Sequence, residues 1–257
     1  MEITESQYQR IADCLPRQRG NVSLTNLQVL NAILYVAEQG CKWRGLPKRF
    51  GNWHTIYTRM NRWSKSGVLD RVFAQLQQEQ IVRIKIEAVS LDSTIVKVHP
   101  DGTGAPKKNG PQAIGKSRGG WTTKIHMVAA DARTAITFAL SPGQAHDAPN
   151  GRALLNRLGA PAWPLHLVMD RAYEGDETRQ LALDLGFIPV VPPLCTRVEP
   201  WEYDRAMYKR RNEIERLFRR LKGFRRIFSR FEKLDVMFIA FITFALVIEA
   251  MRSVNTP

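Results

Sequence analysis

The feature that most restricts the fold is a change of hydrophobic period near residue 80. Before it, apolar residues recur at helical spacing: Leu27, Val29, Leu30, Ile33, Leu34 and Val36 fall within residues 25–39, and Gly40 follows as a stop. A turn-like stretch at 41–47 leads into residues 52–65 (NWHTIYTRMNRWSK), where basic, hydroxyl and aromatic side chains interleave. That pattern suits a helix laid against DNA with its other face in a small core, and Trp53, Tyr57 and Trp63 are read as core rather than base-stacking residues. From Ile86 onward apolar residues instead come in short runs between turns: 86–91, 122–129, 135–140, 165–169 and 187–191, with helices between the later ones. The expectation is a small all-α, helix-turn-helix-like DNA-binding domain over 1–80 and an α/β domain over 81–257. A hydrophobic content of 44% supplies cores for both.

Two of the short runs end in aspartate: Ser90-Leu91-Asp92-Ser93-Thr94 and Val168-Met169-Asp170-Arg171-Ala172-Tyr173. Side chains at strand ends are held by the sheet yet open to solvent, which suits chemistry. A single such aspartate is more often a helix cap or turn former. A third carboxylate comes from the helix predicted over 208–222. At 100° per residue Tyr208, Arg211, Glu215 and Lys222 fall within about 60° of one another as one polar ridge. Ile214, Leu217, Leu221 and Phe224 form the adjoining apolar stripe, with Phe218 on its margin, and Glu213 lies across the wheel. Glu215 is therefore the better ligand, although on the helix alone both glutamates read as partners in i,i+4 ion pairs. Together Asp92, Asp170 and Glu215 form an oxygen-only set suited to two Mg²⁺ or Mn²⁺ ions about 3.5–4 Å apart, one activating an attacking oxygen and the other stabilising the leaving one.

Charge narrows the partner. Lys and Arg number 38 against 24 Asp and Glu, giving a formal charge of +14 and a pI near 10.1. A surplus of that size points to a polyanion, and nucleic acid rewards clustered cations through counterion release. Between residues 205 and 230 eleven Lys or Arg face two acids, so most of the surplus lies around Glu215. Residues 100–120 (PDGTGAPKKNGPQAIGKSRGG) read as a mobile basic loop near a phosphate track. They contain no P-loop signature.

Other classes fit less well. Cys14, Cys41 and Cys195 show no metal or disulfide spacing and suit a reducing compartment. The N-terminus lacks a secretory pattern, so a cytoplasmic protein is expected. The apolar stretch 236–248 (VMFIAFITFALVI) is short of the ~20 residues a membrane span needs and reads as a buried terminal helix. His99, His126 and His146 have no metal-ligand spacing and are read first as structural, Ser93 and Thr94 have no base partner for nucleophilic catalysis, and Arg171 and Tyr173 are expected to brace the second aspartate motif.

At these residues the sequence resembles bacterial insertion-sequence transposases of the DDE class, in particular the IS-five family. The Tyr-x2-Arg-x3-Glu-x6-Lys signature of that superfamily is matched by Tyr208, Arg211, Glu215 and Lys222, and the two aspartate segments look like its first and second acidic motifs. Segments 120–126 (GWTTKIH) and 143–147 (GQAHD) also resemble family stretches. The resemblance implies a ribonuclease-H-like catalytic core, cleavage at element ends, and attack of the freed 3′-OH on target DNA. It implies that Tyr208, Arg211 and Lys222 contact the backbone near the scissile phosphate and that the protein dimerises at least on DNA. Further candidate DNA contacts are Arg59, Arg62, Lys107, Lys108, Lys116, Arg118, His146 and Arg219. Only 45 positions separate Asp170 from Glu215, too few for the inserted β-rich domain some members carry there. The competing readings are a nuclease with the same core that does not join, and a regulator descended from a transposase, which loss of a carboxylate would mark.

Overall fold

The longest helix of the N-terminal 50 residues, Asn26–Gln39, is capped at both ends by its own sequence. Thr25 accepts a hydrogen bond from the Gln28 backbone N–H while the Gln28 side chain accepts one from the Thr25 N–H, closing a capping box. Gly40, at φ 69°, ends the helix in the left-handed conformation that glycine adopts without strain. The computed structural model describes residues 2–20, 22–81, 86–103 and 109–253. In chain order its helices are α1 (Glu5–Gln9), α2 (Asn26–Gln39), α3 (Trp53–Lys65), α4 (Val68–Ile81), α5 (Asp147–Leu158), α6 (Asp176–Asp184), α7 (Arg205–Tyr208), α8 (Asn212–Gly223), α9 (Arg225–Phe228) and α10 (Asp235–Ser253). The strands that concern us are β1 (Ala88–Val98), β2 (Gly115–Ser117), β3 (Gly120–Ala129), β4 (Ala135–Pro142), β5 (Leu165–Met169) and β6 (Phe187–Val190).

The chain forms two compact units. The first gathers Met1–Gln80, Val98–Gln112 and Arg220–Pro257. Within it α3 and α4 are joined by Ser66 and Gly67 alone, a tight helical pair, whereas α2 and α3 are separated by two 3-10 turns. Helix α10 is apolar nearly all round, with Phe238, Phe241 and Phe244 buried, so it needs neighbours on every side. It packs on α3 and α9, and Ser64 donates to the Val236 carbonyl at 2.8 Å. The apolar stretch read as a buried terminal helix is that helix, and among the described residues no helix is long and apolar enough to cross a membrane.

The second unit comprises Ile81–Lys97 and Ala113–Arg219. Strands β1, β3 and β4 pair antiparallel in sequence, and β5 then β6 join the free side of β1 in parallel. The edge of β3 away from β1 is shared by β2 and β4. An antiparallel meander continued by two parallel strands, with helices packed on it, is the ribonuclease-H-like arrangement expected from the sequence. Side-chain alternation divides the sheet into two faces. Val89, Leu91, Leu167 and Met169 join Leu154, Leu155 and Tyr173 in the larger core, under α5 and α6. Ala88, Val168 and Val190 face Tyr203, Met207 and Tyr208. Burial on both faces is why β1 up to Leu91 and β5 are mostly apolar, interrupted only by Ser90 and His166.

Candidate active site

The expectation for Asp92 needs one correction. Its strand does not run out at Leu91: β1 continues to Val98 because β3 pairs with it as far as Lys97. What ends at Leu91 is the parallel pairing with β5, where Leu91 stands beside Met169. The next residues on these neighbouring strands are Asp92 and Asp170, so the register sets the two carboxylates side by side. Both share the parity of Ala88 and Val168 and so face the side covered by α7. Asp92 is buried and its Oδ1 accepts from the Ser93 N–H at 2.7 Å. Asp170 is more open; it caps the 3-10 turn Arg171–Tyr173 and accepts from the Arg171 N–H at 2.6 Å.

The polar ridge is not one helix. Tyr208 ends α7, Lys209–Arg211 form a 3-10 turn, and α8 begins at Asn212. The break brings Arg211 under the aspartates. Its guanidinium lies 3.1 Å from Asp92 Oδ2 and 3.7 Å from Asp170 Oδ2, and a second nitrogen donates to Glu215 Oε1. One cation therefore gathers three carboxylates from β1, the end of β5 and α8. Glu213 is occupied elsewhere: it accepts from the Ala132 N–H in the β3–β4 turn at 3.2 Å and lies 3.4 Å from Arg216. That leaves Glu215 as the helix's contribution to the cluster.

Burial first, with Asp170 and Glu215 in support, raises the Asp92 carboxyl to about 6 against the lowering pull of the Ser93 N–H and Arg211. For Arg211, burial acts against the charged form, but the three carboxylates outweigh it and raise its pKa. As the side chains stand, the carboxylates surround a guanidinium, and among the described residues no three His, Cys, Asp or Glu side chains are grouped to hold an ion. The donor chemistry nevertheless fits a hard divalent cation: three carboxylates, no sulfur or imidazole, convergent on one positive centre.

Residues 83–249 match the family model described as "Transposase DDE domain". The chain belongs to the DDE transposase family. Residues 3–73 of the transposase match a second model, "Putative transposase of IS4/5 family (DUF4096)". Among known proteins, the "Putative transposase for insertion sequence element IS6501" of Brucella ovis is 32% identical over 125 residues, 48% of this chain and 94% of that one. An "Uncharacterized protein y4sN" of Sinorhizobium fredii is 32% identical over 111 residues, 42% of this chain and 86% of its own length. Of solved structures, the piggyBac transposase synaptic complex with hairpin DNA aligns with TM-score 0.38 and 12% identity over 79% of this chain, which spans half of the piggyBac chain. A pre-cleavage Mos1 transpososome aligns with TM-score 0.27 and 11% identity over 71% of this chain and 65% of that one.

Behind the triad, on the opposite face of β1, the transposase has a polar network that motif reading noticed only as two separate segments. Ser93 donates to Asp147 Oδ1 at 3.0 Å, and Lys124 donates to the same oxygen at 2.9 Å and to the Ala145 carbonyl at 2.8 Å. Segments 120–126 and 143–147 thus meet at the start of α5 and hold it against the strand that carries Asp92. His126 is fully buried and its Nε2 bonds Ser141 Oγ at 2.8 Å, a structural role as expected. Tyr173 is buried beside Gly151, where a Cβ would run into its ring and lie against Leu91. It therefore packs the second acidic motif against β1, while Arg171 is exposed.

Of the remaining candidates, Tyr208 packs against Ala88 and Val168, on the face of the sheet that carries Asp92 and Asp170. Lys222 follows Glu215 by about two turns of α8, and burial lowers its pKa. Lys116, Arg118, His146 and Arg219 are exposed, as is Arg62, whereas Arg59 donates to the Leu24 carbonyl at 3.0 Å. Of the three aromatics read as core residues only Trp63 is buried; Tyr57 is half-buried and meets Trp43 edge-on, and Trp53 is half-buried with the Arg44 guanidinium over its ring. Lys107 and Lys108 fall outside the described residues. The basic run 205–230 is less uniform than its composition implies. Arg226 is buried 2.9 Å from Glu232, and Arg230 is buried 2.7 Å from Asp235. With Arg211 inside the triad, the solvent-facing cations of the run are Arg205, Lys209, Arg210, Arg216, Arg219, Arg220 and Arg225.

Proposed function

We propose that this transposase cuts DNA at the ends of an insertion element and joins the freed 3′-OH to target DNA, with Asp92, Asp170 and Glu215 as its catalytic carboxylates. The observation that carries this reading is the convergence of those three side chains, from segments far apart in sequence, on one cationic centre. DDE transposases as a family use divalent metals. The three carboxylates would hold two Mg²⁺ or Mn²⁺ ions, which when bound activate the attacking oxygen and stabilise the leaving one. The protein's part is placement. The register of β1 and β5 presents two carboxylates side by side, α8 brings the third, and burial of Asp92 fixes one of them against the sheet.

Residues 1–80 act as the DNA-binding domain and 81–257 as the catalytic one, with Arg59, Arg62, Lys116, Arg118, His146, Tyr208, Arg219 and Lys222 contacting duplex DNA. Two copies act together on paired ends. The deciding experiment is cleavage and strand transfer on labelled DNA carrying the element's ends, in Mg²⁺ or Mn²⁺, with Asp92→Asn, Asp170→Asn and Glu215→Gln beside the parent. The parent cuts and joins, and each variant binds the ends but loses both activities by about a thousandfold or more, as expected when metal-borne charge stabilisation goes. Full activity in any one variant removes that residue from the triad. Cleavage without joining points to a nuclease, and binding without cleavage in either metal points to a regulator.

A further inference from the structure

We propose that Arg211 is the internal counter-cation of the triad: its guanidinium takes the place of divalent metal between Asp92, Asp170 and Glu215, so that loading metal requires Arg211 to withdraw. This rests on the reading of the triad as a metal site and adds a control to it. A guanidinium is planar, always charged and able to present separate N–H groups to different carboxylates, which a lysine ammonium does not do with the same reach. Here one nitrogen serves both aspartates and the other serves Glu215. Two positive groups cannot share that centre without strong repulsion.

The local backbone allows the exchange. Arg211 closes the 3-10 turn that precedes α8, whereas Glu215 sits inside α8. The arginine side chain can therefore leave without unwinding the helix that holds the glutamate. A withdrawn guanidinium beside a loaded triad is placed to pair with a phosphate, for which its fork geometry is equally suited. Binding of DNA would then draw Arg211 away from the carboxylates and strengthen metal binding, and by linkage metal would strengthen DNA binding by the same factor.

Mn²⁺ binding to the full chain without DNA, followed by electron paramagnetic resonance of the free ion, tests this in parallel with thermal unfolding with and without Mn²⁺. Arg211→Gln binds Mn²⁺ about tenfold or more tightly than the parent. Its Tm is lower than the parent's without metal and rises more when Mn²⁺ is added, because three carboxylates are left without their cation. Arg211→Lys, which retains a single point charge and guards against misfolding of the glutamine variant, lies between the two. Equal or weaker Mn²⁺ binding in both variants, while Asp92→Asn still abolishes the parent's binding, overturns the counter-cation role and leaves the metal site standing. Mn²⁺ binding indifferent to Asp92→Asn, in parent and Arg211 variants alike, overturns both.

Discussion

A histidine enclosed behind the triad carries a pH dependence of its own. Burial, aided by Lys124 and opposed by Asp147, pushes the His126 imidazole down to about 4. Its folded pKa is thus below its unfolded value, so the stability it confers is fully present above about pH 6.5 and is lost as pH falls through about 4. The full contribution is about 3 kcal/mol by that linkage. His126→Gln, which keeps a side-chain amide to meet Ser141, is expected to flatten the decline of Tm between pH 6.5 and 4 relative to the parent. A decline of the same steepness in both proteins would show that other groups govern acid unfolding. Glu213 and Glu215 make the complementary point about identity: they lie two residues apart on one helix, yet one fastens a β-turn and the other completes a carboxylate cluster. Two positions on a helix differ by about 200° in direction, which is enough to give identical residues different partners.

Helices and strands here differ in how much of their form is local. Helix α2 is specified by its own ends, and Thr25→Ala, which removes half of a capping box, is expected to cost about 1 kcal/mol in urea unfolding. A change within a few tenths would mean that packing of the apolar face alone sustains the helix. The sheet is specified by partners instead. Strand β5 was legible from its apolar run, whereas the extent of β1 past Asp92 was not, because Asp92-Ser93-Thr94 reads as a turn until β3 is laid beside it. The ridge from Tyr208 to Lys222 was legible as a motif but not as a shape. A 100° wheel assumes a continuous helix, and the 3-10 turn at Lys209–Arg211 changes the angle at which Arg211 leaves the backbone.

Net charge is a property of the whole chain, but its use depends on where each cation lies. Arg219 is exposed and Arg226 is buried against Glu232, although both belong to one basic run. Arg219→Ala is expected to leave folding intact and to lower the slope of log affinity for DNA against log salt by about 1, the share of one phosphate contact. Arg226→Ala is expected instead to lower stability by about 3 kcal/mol or more, because it strands a buried carboxylate. Both follow from one salt titration and one denaturation series. An unchanged salt slope for Arg219→Ala would take that residue off the DNA track, and an unperturbed Tm for Arg226→Ala would show that Glu232 does not depend on it.

Composition, period and spacing by themselves determined that the chain carries an all-α segment followed by an α/β one, that its charge is strongly positive, and that two apolar runs end in Asp92 and Asp170 while Glu215 lies on a polar helix ridge. Those properties are written locally, in apolar runs that end in aspartate and in a helix with four polar positions in phase. Tertiary structure alone decided that β1 continues beyond Asp92, that α10 packs with α3 and α9, that Arg226 and Arg230 are buried ion-pair partners, and that Arg211 stands among the three acids. Each of these depends on a partner distant in sequence, and a side chain's burial and charge environment exist only once that partner is in place.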